Sequence, residues 1–333
     1  MKTRPTERSK SNGVWRPRSC LLSAVIGWTA YPAILATAVG TALGMIARGF
    51  PLGLTAITSF LVALFATWAL ERFSPHEQAW NPSLREASPD GVYLLLASAA
   101  QPAARVLGQL FGVLGALALR SWLGPKPWPP GLPLWAQLIL AVLLADLGKY
   151  WLHRLSHEHP WLWRFHALHH APTRMYSLNG VRLHPVNMLW NLTLDMALPL
   201  FLGLEGPAIV LVGSFRSAVS ILQHGNIEMR LGWLSWVLST PELHRWHHSS
   251  LLGESKANYG STLIVWDMLF GTRHLPRARR APARLGLSAG GIEPSNVGHQ
   301  LVWPWCESRA ATCRLLRGWR PNEAGAGDSA KPG

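Results

Sequence analysis

The chain has 333 residues, a formal net charge of +14, 14% charged residues, 49% hydrophobic residues, 18 Trp and 14 His. Ordinary soluble domains carry roughly 25% charge, so this composition, with a mean hydropathy of +0.13, argues against disorder and against a freely soluble enzyme. Three cysteines, Cys20, Cys306 and Cys313, exclude a disulfide framework and a four-cysteine zinc site.

Residues 1–20 form a basic segment with six Lys/Arg and one Glu. Residues 21–47 and 51–70 contain no Asp, Glu, Lys, Arg or His. About 20 apolar residues span a bilayer core, so each run predicts a transmembrane helix. The first run is too long for a signal peptide, and a second follows at once. Residues 71–90 are polar, hold three prolines and read as a loop. Residues 91–119 are apolar again, interrupted by Gln101, Pro102 and Arg105, and read as a kinked span or a re-entrant hairpin. Five prolines in Gly124–Pro133 predict a rigid turn. Residues 134–145 then start a fourth apolar helix, which runs on into Asp146, Lys149, Tyr150 and His153. Twelve apolar residues are too few to span alone, so this helix is expected to leave the bilayer and stay helical in water.

Residues 188–222 are apolar but broken by Gly203, Glu205, Gly206 and Pro207, which predicts a hairpin of two short helices dipping into the membrane. Residues 273–333 carry ten Lys/Arg and four acids, and 276–333 form a basic tail whose last dozen residues look disordered. The positive-inside rule places both ends in the cytosol. That requires an even number of crossings, met by four before residue 150 and a returning hairpin. The predicted fold class is an all-α integral membrane protein of about four transmembrane helices, with membrane helices in 21–150 and a histidine-rich domain in 146–275. Tyr150, Trp151, Trp161 and Trp163 read as an interfacial aromatic belt.

Eleven of the 14 histidines lie between His153 and His248. Five groups stand out: His153 and His157; His166, His169 and His170; His184; His224; and His244, His247 and His248. Residues at i, i+3 and i+4 share a helical face, so HxxxH and HxxHH each aim their imidazoles together. Neutral imidazole suits iron, zinc, copper and nickel. Ten such histidines are too many for one ion and about right for two. The zinc-protease pattern HExxH is absent, and so is the Glu-x-x-His pattern of soluble di-iron bundles. Asp146 lies two helical turns before His153 and could accept the N–H of a ligating imidazole, or pair with Lys149. His76, His159, His274 and His299 lack a partnered spacing and read as ordinary histidines.

The segments DLGKYWLHRLSH, WLWRFHALHH, LNGVRLHP, LQHGN, PELHRWHHS and NYGSTLIVWDMLFGT resemble the fatty-acid-hydroxylase/sterol-desaturase superfamily of membrane oxygenases over roughly residues 68–275. The resemblance implies a four-helix membrane scaffold under a cytosolic helical cap that holds a histidine-ligated di-iron centre. It also implies O₂-dependent hydroxylation or desaturation of a lipid. His153 and His157 match the first histidine box, His166, His169 and His170 the second, and His244, His247 and His248 the third. His184 and His224 match additional family histidines that often ligate. Many relatives carry an acid shortly after the His-Pro that His184 and Pro185 match; Asn187 stands here instead.

Such chemistry needs two electrons from outside. The chain has no GxGxxG fingerprint, no cysteine set for an iron–sulfur cluster and no CxxCH haem attachment. A ferredoxin or cytochrome with its reductase is therefore the expected partner. Arg outnumbers Lys by 25 to 6 and no dilysine or KDEL-type signal ends the chain, which favours a bacterial inner membrane. The rival readings are a zinc-dependent membrane lipid hydrolase and a non-enzymatic membrane metal-binding protein. A nucleic-acid binder does not fit, because residues 1–20 contribute +5 and residues 273–333 +6, leaving no basic groove between them.

Overall fold

The structure is a computed structural model. It describes residues 20–81, 89–100 and most of 128–306, with scattered residues between 101 and 127. Residues 1–19 and 307–333 lie outside the described residues, as do 12 of the 29 residues of 91–119, the segment read as a kinked span or a re-entrant hairpin.

The two uncharged runs form α1 (Cys20–Ala47) and α2 (Leu52–Phe73). Gly49 separates them at φ +75°. That left-handed conformation lets the Phe50 amide return to the Met45 carbonyl at 3.1 Å, closing the helix end as glycine readily does. Hydroxyls inside these apolar helices are satisfied by their own backbone: Thr37 donates to Ala33 and Thr67 to Ala63, both at 2.8 Å. Ser59 instead crosses to the Ala38 carbonyl of α1 at 2.9 Å. Small residues there (Ala30, Ala38, Ala63) are buried and let the backbones approach, which is how apolar helices associate without a hydrophobic driving force.

Residues 89–100 are helical. The next long helix, α3 (Leu134–Glu158), has 25 residues and so runs about 37 Å. Its second half buries Asp146, Tyr150, His153, Ser156 and His157. The chain breaks at His159, and Pro160 opens α4 (Pro160–His170), a position where its missing N–H costs nothing. This immediate turn brings the first two histidine motifs face to face.

Across the stretch expected to form a hairpin of two short helices, 188–222, three helices are found: α5 (Pro185–Asp195), α6 (Ala197–Phe201) and α7 (Pro207–His224). Gly203 and Gly206 turn the chain between them with φ +96° and +59°. Helix α7 is the hub, packing against α1, α2 and α3. Its Ala218, Ile221 and Leu222 join Tyr31, Ile34 and Leu64 in one buried core. Short helices α8 (Pro241–His247), α9 (Leu252–Ser255), α10 (Val265–Leu269) and α11 (Val297–Cys306) complete the described elements.

The fold is all-helical: no strand forms among the described residues, only isolated bridges at Leu238–Leu263 and Ser249–Leu285. Three described helices are long and apolar enough to cross a membrane: Ala24–Ala47, Leu52–Phe73 and Leu134–Glu158. Their outer faces expose Val25, Trp28, Ile57, Phe65, Trp135 and Ile139. The expected aromatic belt is only half present. Trp151 and Trp161 are exposed, whereas Tyr150 and Trp163 are buried. Tyr150 stacks on Phe270, and Trp163 packs against His157 and His170.

Candidate metal centre

Nine of the ten singled-out histidines converge. His153, His157, His166, His170 and His247 form one set, and His169, His224, His244 and His248 a second. Within each set the candidate ligand nitrogens lie within 4.8 Å of one another, and all nine residues are buried. The sets abut: the His170 and His248 rings stack with centroids 4.3 Å apart.

Four elements supply them. Helix α3 presents His153 and His157 one turn apart, and α4 presents His166 and His170 on the same face. His169, one residue earlier than His170, points to the other set. His224 is the last residue of α7. Helix α8 and its end split likewise, His247 going to the first set and His244 and His248 to the second. An HxxHH motif therefore serves both sets because its middle histidine is rotated by about 100° from its last, the angle of one helical residue.

The tautomers can be read from the oxygen atoms behind the rings. A carbonyl oxygen only accepts, so a ring nitrogen beside one carries the proton. His153 Nδ1 donates to the Tyr259 carbonyl and His247 Nδ1 to the Ala257 carbonyl, both at 2.7 Å. His224 Nδ1 donates to the Ser220 carbonyl at 2.9 Å, and His166 Nδ1 to Asn187 Oδ1 at 3.1 Å. Their Nε2 atoms thus carry lone pairs. Yet His153 and His247 bring these lone pairs within 2.9 Å of each other.

The other Nε2 separations are 3.2 Å for His166–His170, 3.3 Å for His169–His224, 3.0 Å for His224–His244 and 3.1 Å for His244–His248. Two nitrogens bound to one metal at about 2.05 Å stand about 2.9 Å apart at a right angle and about 3.3 Å apart at the tetrahedral angle. The buried Nε2 of His157 has no hydrogen-bond partner. Opposed lone pairs at metal-ligand separations fit a cation in each set. Burial favours the neutral, ligating imidazole: it lowers His166 to about 4 and His247 to about 3, and holds His169, His170, His244 and His248 well below the usual histidine value.

His184 is not brought into either set. Its Nε2 donates to the Leu301 carbonyl at 3.0 Å and its Nδ1 accepts the Val186 amide at 3.2 Å. Both nitrogens are spent on joining α11 to the start of α5. Asp146 accepts the Leu263 amide at 3.0 Å, while His153 Nδ1 donates to the Tyr259 carbonyl. His76, His159, His274 and His299 lie outside both sets.

Spacing alone did not reveal the backing groups. The segment Asn258–Gly260 supplies the carbonyl behind His153. Asn258 sits at φ +56° and donates to the Leu243 and His274 carbonyls. Asp267 accepts the amides of Tyr259 and Gly260 at 2.8 and 2.7 Å. A Cβ on Gly260 would lie 2.0 Å from the Leu263 carbonyl oxygen, so only glycine fits. Asn187, fully buried, backs His166 as a neutral acceptor. The remaining neighbour is Gly180, where a Cβ would stand 3.0 Å from His224 Nδ1. A recess too small to hold a water lies beside the second set, with His169, His224 and His248 in its wall.

Comparison with known proteins agrees with this geometry. Residues 138–272 match the family model described as fatty acid hydroxylase. The chain is 37% identical to ornithine lipid hydroxylase of Rhizobium tropici over 222 residues, 66% of this chain and 65% of that protein. It is 28% identical to alkylglycerol monooxygenase of Xenopus tropicalis over 59% of this chain and 45% of that one. It is also 28% identical to methylsterol monooxygenase 2-2 of Arabidopsis thaliana over 49% of this chain and 60% of that one. The chain thus spans between about half and two thirds of the length of these curated relatives. No solved structure matches. The match runs from within α3 to just past α10 and takes in all nine converging histidines, so this part of the chain is similar to the fatty acid hydroxylase family.

Proposed function

We propose that this protein is a membrane-bound di-iron oxygenase that hydroxylates or desaturates a lipid, using O₂ and electrons from a separate donor. The observation that carries this reading is the pair of abutting, buried, all-imidazole sets with opposed Nε2 lone pairs. His153, His157, His166, His170 and His247 would hold one iron, and His169, His224, His244 and His248 the other. Bound iron would supply reductive activation of O₂, in which hydroxylation takes two electrons and two protons and releases one oxygen as water. The relatives named above are a lipid hydroxylase and lipid-type monooxygenases, which supports a lipid as substrate here.

The chain's own contribution is positional. Carbonyls of Ser220, Ala257 and Tyr259 and the side-chain carbonyl of Asn187 lock four rings with Nε2 turned inward. Burial keeps water out and keeps the imidazoles neutral. Helix α3 passes from an apolar face to the histidines without a break, so a lipid carried in the bilayer meets the centre where the helix emerges. In this reading a cap built on 146–275 stands over about four spans, both termini are cytosolic, and the membrane is a bacterial inner membrane. A ferredoxin or cytochrome with its reductase delivers the electrons.

The test is metal analysis of purified protein together with anaerobic and aerobic turnover on total membrane lipid. The expected result is about two irons per chain and a product heavier by one oxygen, or lighter by two hydrogens, only with O₂ and reductant. A lipid product that forms fully without O₂ would overturn the reading in favour of a zinc hydrolase. Against that rival stands the five-membered set, since a catalytic zinc takes three protein ligands.

A further inference from the structure

The last turn of α2 holds an acid that the proposed chemistry does not use. Glu71 is 1% exposed, and among the described residues it makes no salt bridge. It also stands at the negative end of the α2 dipole, where an acid is disfavoured. Its carboxyl group is instead spent on two other segments of chain. Oε1 accepts the Ser177 amide at 2.6 Å and the Asn226 amide at 2.9 Å, and Oε2 accepts the Ser177 hydroxyl at 2.9 Å. Both segments flank His224. Asn226 lies two residues beyond it, at the exit from α7. Ser177 opens the 3-10 turn Ser177–Val181, and Gly180 of that turn is the residue on which a Cβ would stand 3.0 Å from His224 Nδ1. The loop after Glu71 closes the clamp. The fully buried side chain of Asn226 accepts the Glu77 amide at 3.0 Å and donates to the Glu77 carbonyl and to Asn81 Oδ1. Asn81 in turn donates to the Glu71 carbonyl at 2.9 Å.

We propose that Glu71 is a positioning residue for the four-membered set, fixing the place of His224 by holding the backbone on both sides of its ring. His224 Nε2 lies between His169 Nε2 and His244 Nε2, at 3.3 and 3.0 Å, so a small displacement spoils the set. The ring's own hydrogen bond goes to Ser220 of the same helix and moves with α7. Helix α2 is the fixed reference, and Glu71 connects it to the ring's surroundings. The five-membered set takes its bracing from Tyr259, Ala257 and Asn187, so Glu71 acts on one set only. This role rests on the two-metal reading and can be tested without turnover.

The probe is cobalt(II) alone, bound anaerobically to metal-free full-length protein in phosphatidylcholine nanodiscs and followed by visible absorption during competition with a chelator. Wild type should take up about two cobalt ions per chain. Glu71→Leu, which removes every acceptor, should weaken one site about tenfold, the lower end of the cost of losing a group behind a ligand, and leave the other unchanged. The spectrum lost should match that lost in His248→Ala, not that lost in His247→Ala. Glu71→Gln keeps an oxygen for both amides and should restore wild-type affinity. Glu71→Asp, one methylene shorter, cannot span both segments. It should weaken the same site, and it decides the matter where Glu71→Leu does not fold. Ser59→Ala breaks the α1–α2 bond to Ala38 and should lower the melting temperature with both sites intact, which separates positioning from general loss of stability. Equal weakening of both sites, or of neither, in Glu71→Leu and Glu71→Asp overturns the proposal, as does loss of a site in Ser59→Ala. Glu71→Gln as weak as Glu71→Leu overturns its hydrogen-bond basis. Fewer than two cobalt ions in wild type overturns the two-metal reading and this role with it. Two ions, the expected variants and no O₂-dependent product would instead sink the oxygenase reading alone.

Discussion

The two histidine sets differ in how they are built. In the five-membered set, three rings are held from behind by groups distant in sequence: His153 by Tyr259, His247 by Ala257 and His166 by Asn187. In the four-membered set, His224 is held by Ser220 of its own helix, and its ring lies against Gly180. The first set is thus a tertiary construction, clamped by the Asn258–Gly260 turn. The second leans on the end of α7 and on the backbone at Gly180. One set is braced from other segments and the other largely from its own helix, so the two should respond differently to the loss of a backing group.

The largest effect should come from removing one ligand of each set. His247→Ala should empty the five-membered set and His248→Ala the four-membered one. Each should take iron from about two per chain to about one and lower lipid oxidation by more than 100-fold. Plasma mass spectrometry of the purified variants checks this, and unchanged iron in both would refute the division into two sets.

Next in size is Asn187→Leu. It removes the acceptor behind His166, and losing such a backing group typically costs 10–100-fold in metal affinity. Competition with a chelator should show one iron lost early and the other retained. Loss of both together would mean that the sets are not separable.

Gly180→Ala should act on the other set, because the new methyl presses His224 from 3.0 Å. A shift of a few tenths of an ångström should cost about tenfold in affinity, within the range for disturbed outer contacts. The same chelator assay should show the pattern reversed relative to Asn187→Leu.

The smallest effect is expected at His184. His184→Ala should leave iron at about two per chain and lower stability by about 1–3 kcal/mol, since it breaks the contacts to Leu301 and Val186. Metal content and thermal melting check this together. Loss of one iron would return His184 to the ligand set.

Much of this was legible in sequence. Uncharged runs of bilayer length became α1 and α2, and Gly203, Gly206 and Pro207 broke the hairpin where their backbone preferences demand. HxxxH and HxxHH spacings marked eight of the converging histidines, because helical periodicity acts over three or four residues. His224 and His184 were singled out beside them, and nothing local distinguishes one from the other. Only the position of Leu301, 117 residues away, spends the His184 ring on another contact. Tyr150 and Trp163 misled in the same way: an aromatic at a membrane exit looks alike from either face until its neighbours are known.

The amino-acid order by itself determined the helices, their apolar lengths and the grouping of imidazoles on common faces, since these depend on composition and a 3.6-residue period. Tertiary structure alone decided which histidines share a set and which nitrogen of each is free to ligate. Those properties depend on carbonyls, an asparagine and glycine clearances contributed by segments tens of residues apart, and no local period records them.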